Sequence, residues 1–227
     1  MVEKTAKILS LFVILTVLTV KNADAAFNTD VVGRSAVTSF AALLEALPAV
    51  PGADEGVWVL AAPDGGARFA WRRDVSDARV WDVFIRFDAR PFVKAGLDLS
   101  KLPDGVAFGD EIVLGSRLSP GPLSYEGEVT PLASFEQIVR LDRASVGYHA
   151  ALDHYGVTVS EGSLFEWAKD MGTNDKDMVF VLNPKIFIDA GVDPAKVEGW
   201  AFAPVPVEDD RGRKFEADKF LKPFDLK

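Results

Sequence analysis

The chain has 227 residues, of which 48% are hydrophobic, and its formal net charge is −9 at pH 7. This hydrophobic content is ordinary for a folded domain and excludes a disordered chain. The acidic charge disfavours nucleic acid and anionic lipid headgroups as partners. The sequence contains no cysteine, which excludes disulfides, thiolate metal ligands and a nucleophilic cysteine.

The N-terminus has the pattern of an export signal. Lys4 and Lys7 precede an apolar run from Ile8 to Val20, and Ala23 and Ala25 are small residues at cleavage-site spacing. The apolar run is shorter than the about 20 residues that a membrane-spanning helix needs. We therefore expect residues 1–25 to be a signal peptide. The mature protein would have no membrane span and would be exported to a periplasm or to the outside of the cell.

The remainder of the chain is predicted to be a tandem duplication. Residues 88–102 (DARPFVKAGLDLSKL) resemble residues 183–197 (NPKIFIDAGVDPAKV). Further similar pairs occur in the same order in both halves: Ser39-Phe40 with Ser134-Phe135, Phe69 and Trp71 with Phe165 and Trp167, and Ala107-Phe108 with Ala201-Phe202. A conserved order of matches favours a duplicated unit of about 95 residues over a recurring short motif. We predict two repeats, 26–124 and 125–227, related by a pseudo-two-fold axis.

The first repeat is predicted to be α+β. Apolar residues at helical spacing from Val37 to Leu47 indicate a helix that ends before Pro48. Turn residues 63–66 between two short apolar runs indicate a hairpin. The remaining predicted elements are a strand with alternating polarity over 81–87, a short helix over 91–95 that ends at Gly96, and a strand over 106–114.

The second repeat is predicted to follow the same outline. A helix starts at Leu132, strands follow around 165–167 and 200–207, and a short helix precedes Gly191. The segment Met178–Leu182 is apolar at every position, which predicts a strand covered on both faces. Residues 209–212 are predicted to form a turn, and residues Lys214 to Lys227 are predicted to form a mixed-charge tail.

One segment of the second repeat has no evident counterpart in the first. Residues 144–157 (ASVGYHAALDHYGV) contain both histidines of the chain and two of its three tyrosines. If the helix from Leu132 continues to His154, then His149 and Asp153 lie on one face, where the carboxylate could orient the imidazole. The candidate ligand-binding residues are Tyr148, His149, Asp153, His154 and Tyr155.

These patterns favour a non-enzymatic exported binding protein. A small ligand or a protein partner would bind in the groove between the repeats, because such clefts are preferred ligand sites. One alternative is a haem- or metal-binding protein that uses His149 or His154 as ligand, although five residues on a regular helix separate these histidines too far for one ion. Another is a carbohydrate-active enzyme based on carboxylates. The sequence indicates no particular cofactor, and it has neither a Gly-x-Ser-x-Gly elbow nor a phosphate-binding glycine loop.

Overall fold

The structure, a computed structural model, describes residues 21–54, 56–73, 81–117, 129–141, 146–160, 162–173, 176–208 and 213–226. Most of the predicted signal peptide and the predicted repeat boundary near residue 125 lie outside these residues. The described helices are α1 (Lys21–Ala46), α2 (Arg90–Lys94), α3 (Pro131–Leu141) and α4 (Lys185–Asp189), with short 3-10 helices at Leu99–Lys101 and Pro194–Lys196. No helix among the described residues is long and apolar enough to cross a membrane.

The strands form two antiparallel sheets of six. The first sheet contains β1 (Val50–Pro51), β2 (Val57–Ala61), β3 (Ala67–Arg72), β4 (Val83–Asp88), β5 (Ala107–Phe108) and β6 (Glu111–Ser116), in the order β1-β2-β3-β4-β6-β5. The second contains β7 (Val146–His149), β8 (His154–Ser160), β9 (Ser163–Ala168), β10 (Met178–Leu182), β11 (Ala201–Glu208) and β12 (Lys214–Phe224), in the order β7-β8-β9-β10-β12-β11. The two orders are the same, so the predicted α+β fold is confirmed and is consistent with a duplicated unit.

Two predicted elements are wrong in the second repeat. The helix α3 is described to Leu141, and residues 146–157 do not continue it, because β7 and β8 form a hairpin with His149 directly opposite His154. This hairpin occupies the position that β1 and β2 hold in the first sheet, so the segment does have a counterpart. The predicted tail is also ordered: β12 lies inside the sheet, between β10 and β11. The strands β10 and β11 supply hydrogen-bond partners for the backbone of β12, although its mixed-charge sequence is typical of an exposed segment.

The first repeat differs from the prediction at one element. The single strand expected over 106–114 is a hairpin of β5 and β6, because Gly109 adopts a positive φ of 60° and reverses the chain. Other predictions are confirmed: β2 pairs with β3 across the predicted turn, and all five residues of β10 are buried.

The two sheets pack face to face around one aromatic core. Phe69 stacks on Phe165 with ring centroids 4.5 Å apart and an interplanar angle of 2°. Phe40 stacks on Phe135 at 3.7 Å, and the rings of Phe92 and Phe187 lie 5.0 Å apart. Each ring therefore meets the ring that holds the matching position in the other repeat, which is the arrangement expected along a pseudo-two-fold axis.

The long helices join the two repeats across this core. Ser39 of α1 donates a hydrogen bond to the carbonyl of Ala168 in the second sheet, at 2.7 Å. In the opposite direction, Trp71 of the first sheet donates to the hydroxyl of Ser134 in α3, at 2.8 Å. Residues of both sheets and both helices belong to one hydrophobic cluster. The space between the facing sheets is thus filled by side chains, and the cleft described below lies elsewhere.

The segment with the strongest sequence similarity between the repeats makes a reciprocal backbone contact. Asp98 N donates to Ala190 O at 3.0 Å, and Asp193 N donates to Ala95 O at 2.8 Å. Gly96 and Gly191 lie between these bonds with φ of 107° and 105°. A Cβ on Gly96 would lie 2.7 Å from Gly191 O. Glycine is required here both for the backbone conformation and for the close approach.

We predict that Gly96→Ala destabilises the protein far more than Gly105→Ala. Both glycines have positive φ, which costs an alanine about 1–2 kcal/mol. Only the alanine at position 96 would also clash with backbone, since nothing lies within 4 Å of a Cβ at Gly105. Overpacking adds about 1–3 kcal/mol. The measurement is the free energy of unfolding in urea, and equal losses for the two variants would contradict the close approach.

Candidate functional site

A mostly apolar cleft of about 380 Å³ lies on the outer face of the second sheet. Its side chains come from β8, β9, β10, β11 and β12 and from two loops. The residues that line it are Leu152, His154, Glu166, Lys176, Val179, Pro204, Val205, Pro206, Leu221 and Pro223. Although β9, β10 and β12 separate β8 from β11 in the sheet, His154 of β8 and Pro204 and Pro206 of β11 line the same cleft. The sheet therefore curls, and the cleft lies in its concave side.

Two histidines and a glutamate form the polar part of this face. His149 and His154 are directly opposite each other on β7 and β8, and Glu166 follows on β9, opposite Gly156. Because Gly156 has no side chain, the Glu166 side chain passes close over it; a Cβ there would lie 3.1 Å from Glu166 Cγ. The carboxylate reaches both rings, with 3.2 Å between His149 Nδ1 and Oε1 and 3.9 Å between His154 Nδ1 and Oε2.

Burial and hydrogen bonding oppose each other at the carboxylate. Glu166 is only 2% exposed, and burial alone would raise its pKa. The hydrogen bond with His149 and the neighbouring His154 outweigh this effect, so the pKa of Glu166 lies below its ordinary value. The same hydrogen bond raises the pKa of His149 against the effect of its own burial, with further support from the Pro206 carbonyl. Glu166 and His149 therefore form an ion pair, in which each side chain stabilises the charged form of the other.

Three polar atoms beside this pair have no hydrogen-bond partner among the described residues. They are Nδ1 and Nε2 of His154 and Oε2 of Glu166, all of them buried. The 3.9 Å between His154 Nδ1 and Glu166 Oε2 is too long for a hydrogen bond. Buried polar atoms are nearly always paired in proteins, so an exception needs a physical reason. Both residues line the cleft, so these unpaired atoms lie directly beneath its surface.

The five candidate residues are divided between the two faces of the sheet. Side chains alternate along a strand, so Tyr148 and Tyr155 point away from His149 and His154. Tyr155 is 5% exposed and packs in the core near Trp167. The expected pairing of His149 with Asp153 does not form, because the sequence bends into a hairpin there.

Asp153 instead accepts a short hydrogen bond from the Tyr148 hydroxyl. This bond raises the pKa of Tyr148 to about 12. Asp153 lies in the turn between β7 and β8 with a φ of 50°, and Lys169 Nζ is 3.8 Å from its carboxylate. The Tyr148–Asp153 pair closes the hairpin and does not contribute to the cleft.

The sequence reasoning missed Glu166. It lies between Phe165 and Trp167, two residues that belong to the core, and its own side chain points to the outer face. Strand register assigns Ala70 to the same position in the first sheet. A residue-by-residue comparison of the repeats would have shown a carboxylate where the other copy has a methyl group.

The first sheet has a different outer face. At the positions of His154, Glu166 and Val179 it carries Val57, Ala70 and Phe84. These three residues pack with Val113 as a small apolar cluster. The same fold thus accommodates an apolar set of residues at these positions, and the buried polar group belongs to the second repeat alone.

The alternative functions gain no support at this face. Among the described residues no group of three or more His, Cys, Asp or Glu side chains is arranged to hold a metal ion. Nδ1 of His149 is already engaged with Glu166. Glycosidases need two carboxyl groups, and Glu166 is the one carboxylate among the described residues that line the cleft.

Comparison with known proteins assigns no family to the chain. No protein-family model, no curated protein and no solved structure matches it.

We predict that the stability contributed by His149 depends on pH. The pKa of His149 is higher in the folded protein, so its contribution is fully present below the unfolded-state pKa and disappears as the pH rises through the folded pKa. Glu166 has a lowered folded pKa, so its contribution is lost as the solution becomes strongly acidic. The variant His149→Gln should lose roughly 1 kcal/mol relative to wild type at about pH 6 and clearly less at about pH 9.

The measurement is the free energy of unfolding of both proteins in urea at the two pH values. Lys176→Gln is the matched control, because it removes an exposed ion pair with Asp225 that involves no histidine. A constant difference between wild type and His149→Gln across this range would contradict the charged pair.

Proposed function

We propose that the protein is an exported, non-enzymatic binding protein that takes a small, largely apolar molecule in the outer cleft of the second sheet. The observation that carries this proposal is the buried group of His154 and Glu166, two residues with unpaired polar atoms that line a mostly apolar cleft. Ligand sites have this composition: apolar walls with a few convergent polar groups. Export is proposed from the N-terminal sequence pattern alone.

The difference between the two sheets supports a role in binding, and not in folding, for the buried polar residues of the second sheet. A buried ion pair is weak evidence for stability, because desolvation offsets much of the attraction. The first sheet has Val57 and Ala70 at the positions of His154 and Glu166, so the architecture does not require polar residues there. A binding role gives a reason for their presence in only one of two equivalent faces.

The size of the cleft favours a small molecule over a protein partner. Its volume of about 380 Å³ is at the lower end of the range for small-molecule sites, roughly 300–1,000 Å³. Pro204, Val205 and Pro206 form one wall of the cleft. The sequence predicts a ligand site in the groove between the repeats, but core side chains fill that space. The proposed site therefore lies on the outer face of the second repeat.

The proposal predicts that purified full-length protein binds N-phenyl-1-naphthylamine, a neutral dye whose fluorescence increases in apolar surroundings. Val179→Phe should weaken this binding at least tenfold, because the added ring occupies the cleft. Phenylalanine is the residue that the first sheet has at this position, Phe84, so the variant is expected to fold. The measurement is a fluorescence titration of both proteins.

Val59→Phe is the matched control. It adds the same group to the outer face of the first sheet, where Val59 borders a separate cleft, and it should leave the affinity for the dye unchanged. Absence of dye binding to the wild-type protein would contradict the proposed function. A loss of binding in Val59→Phe, with retention in Val179→Phe, would move the site to the first repeat.

A further inference from the structure

The unpaired atoms of the cleft specify the polar group of its ligand, and this inference rests on the proposed function. Glu166 Oε2 is an acceptor, since the carboxyl group is held ionised by its partners. The His154 ring supplies at least one N–H donor, as every imidazole does. The two groups together therefore offer complementary hydrogen bonds to a ligand atom that both donates and accepts.

The distance between these groups fits one bridging oxygen. Glu166 Oε2 and His154 Nδ1 are 3.9 Å apart, which is too far for a direct hydrogen bond. One oxygen atom at about 2.8 Å from each of them would span this separation. If this oxygen belongs to a hydroxyl group, its O–H donates to the carboxylate of Glu166 and its oxygen accepts from the ring nitrogen of His154. It satisfies two buried atoms that are otherwise unpaired.

The surrounding charges argue against an ionic head group. A carboxylate would be repelled by Glu166, whose second oxygen already accepts from His149. Lys176 at the cleft is already paired with Asp225. An ammonium group would gain little, because Glu166 is balanced by His149 and lies within electrostatic reach of Lys219. Either ion would also lose its hydration on entering a mostly apolar cleft. A neutral head group avoids both costs.

We infer that the cleft binds a neutral, largely apolar molecule through one hydroxyl group, a phenol or a hydrophobic alcohol, which bridges Glu166 Oε2 and His154 Nδ1. The hydroxyl is held at the polar end of the cleft, and the apolar body lies against Val179, Val205 and Leu221.

The test compares four molecules of similar shape on the full-length protein at neutral pH. They are 2-naphthol, naphthalene, 2-naphthoate and 2-naphthylmethylammonium, and their affinities are measured by displacement of N-phenyl-1-naphthylamine. The hydroxyl group should make 2-naphthol bind at least roughly tenfold more tightly than naphthalene, since a hydrogen bond to a charged group contributes this much. The two ions should bind no more tightly than naphthalene.

Two substitutions at His154 locate the effect. His154→Val copies the residue of the first sheet, Val57, and should reduce the preference for 2-naphthol over naphthalene to within about twofold. His154→Asn restores a polar group near the position of Nδ1 and should recover part of the preference. Circular dichroism of both variants checks that they are folded.

The outcomes separate this inference from the proposed function. If the dye binds but 2-naphthol and naphthalene compete equally, the hydroxyl inference is wrong and the cleft remains a binding site. A preference for the carboxylate or the ammonium ion, or an undiminished preference for 2-naphthol in His154→Val, also overturns it. If neither the dye nor any of the four molecules binds, the proposed function itself fails.

Discussion

The pairing of equivalent residues across the pseudo-two-fold axis is the constraint on which the rest of this structure depends. Phe69 meets Phe165, and Gly96 meets Gly191, so each repeat supplies the surface that buries the other. Neither sheet has a complete core of its own, because the aromatic rings of one face are covered by those of the opposite sheet. This mutual burial explains why the residues shared by the repeats lie at their contact.

The same symmetry leaves the outer faces of the two sheets free to differ. On the first sheet the outer face closes over a small apolar cluster. On the second, the long strands β11 and β12 curl over the face, so that Pro204 and Pro206 line the same cleft as His154. The strand β5, which corresponds to β11, has two residues and β11 has eight. The difference in strand length therefore gives the two outer faces different shapes.

The buried carboxylate gives that concave surface its chemistry. Glu166 is kept ionised in an apolar setting by His149, and this partnership leaves one of its oxygens and the ring of His154 unpaired. Such an arrangement costs desolvation free energy that a fully apolar face would not. A bound hydroxyl compound would satisfy these atoms, so the ligand would complete a polar network that the protein alone leaves incomplete.

Several features could be predicted from the sequence because they depend on local pattern. The α+β class, the β2–β3 hairpin, the short helices α2 and α4 and the fully buried strand β10 all follow from periodicity, glycine positions and turn residues. The concentration of histidine and tyrosine between residues 144 and 157 marks the segment that contributes His154 to the cleft. The conformation predicted for it was wrong, since the spacing of His149 and Asp153 fits a helix and the cross-strand pairing of a hairpin cannot be read from one segment.

The sequence by itself determined the α+β architecture with two similar units, because similar glycines and aromatic residues in the same order favour the same elements twice. Only the tertiary structure decided which residues form the cleft. The partnership of His149 with Glu166 joins residues 17 apart on different strands, and Pro206 approaches them from the far edge of the sheet. Such contacts depend on strand order and sheet curvature, which arise from the packing of the whole chain.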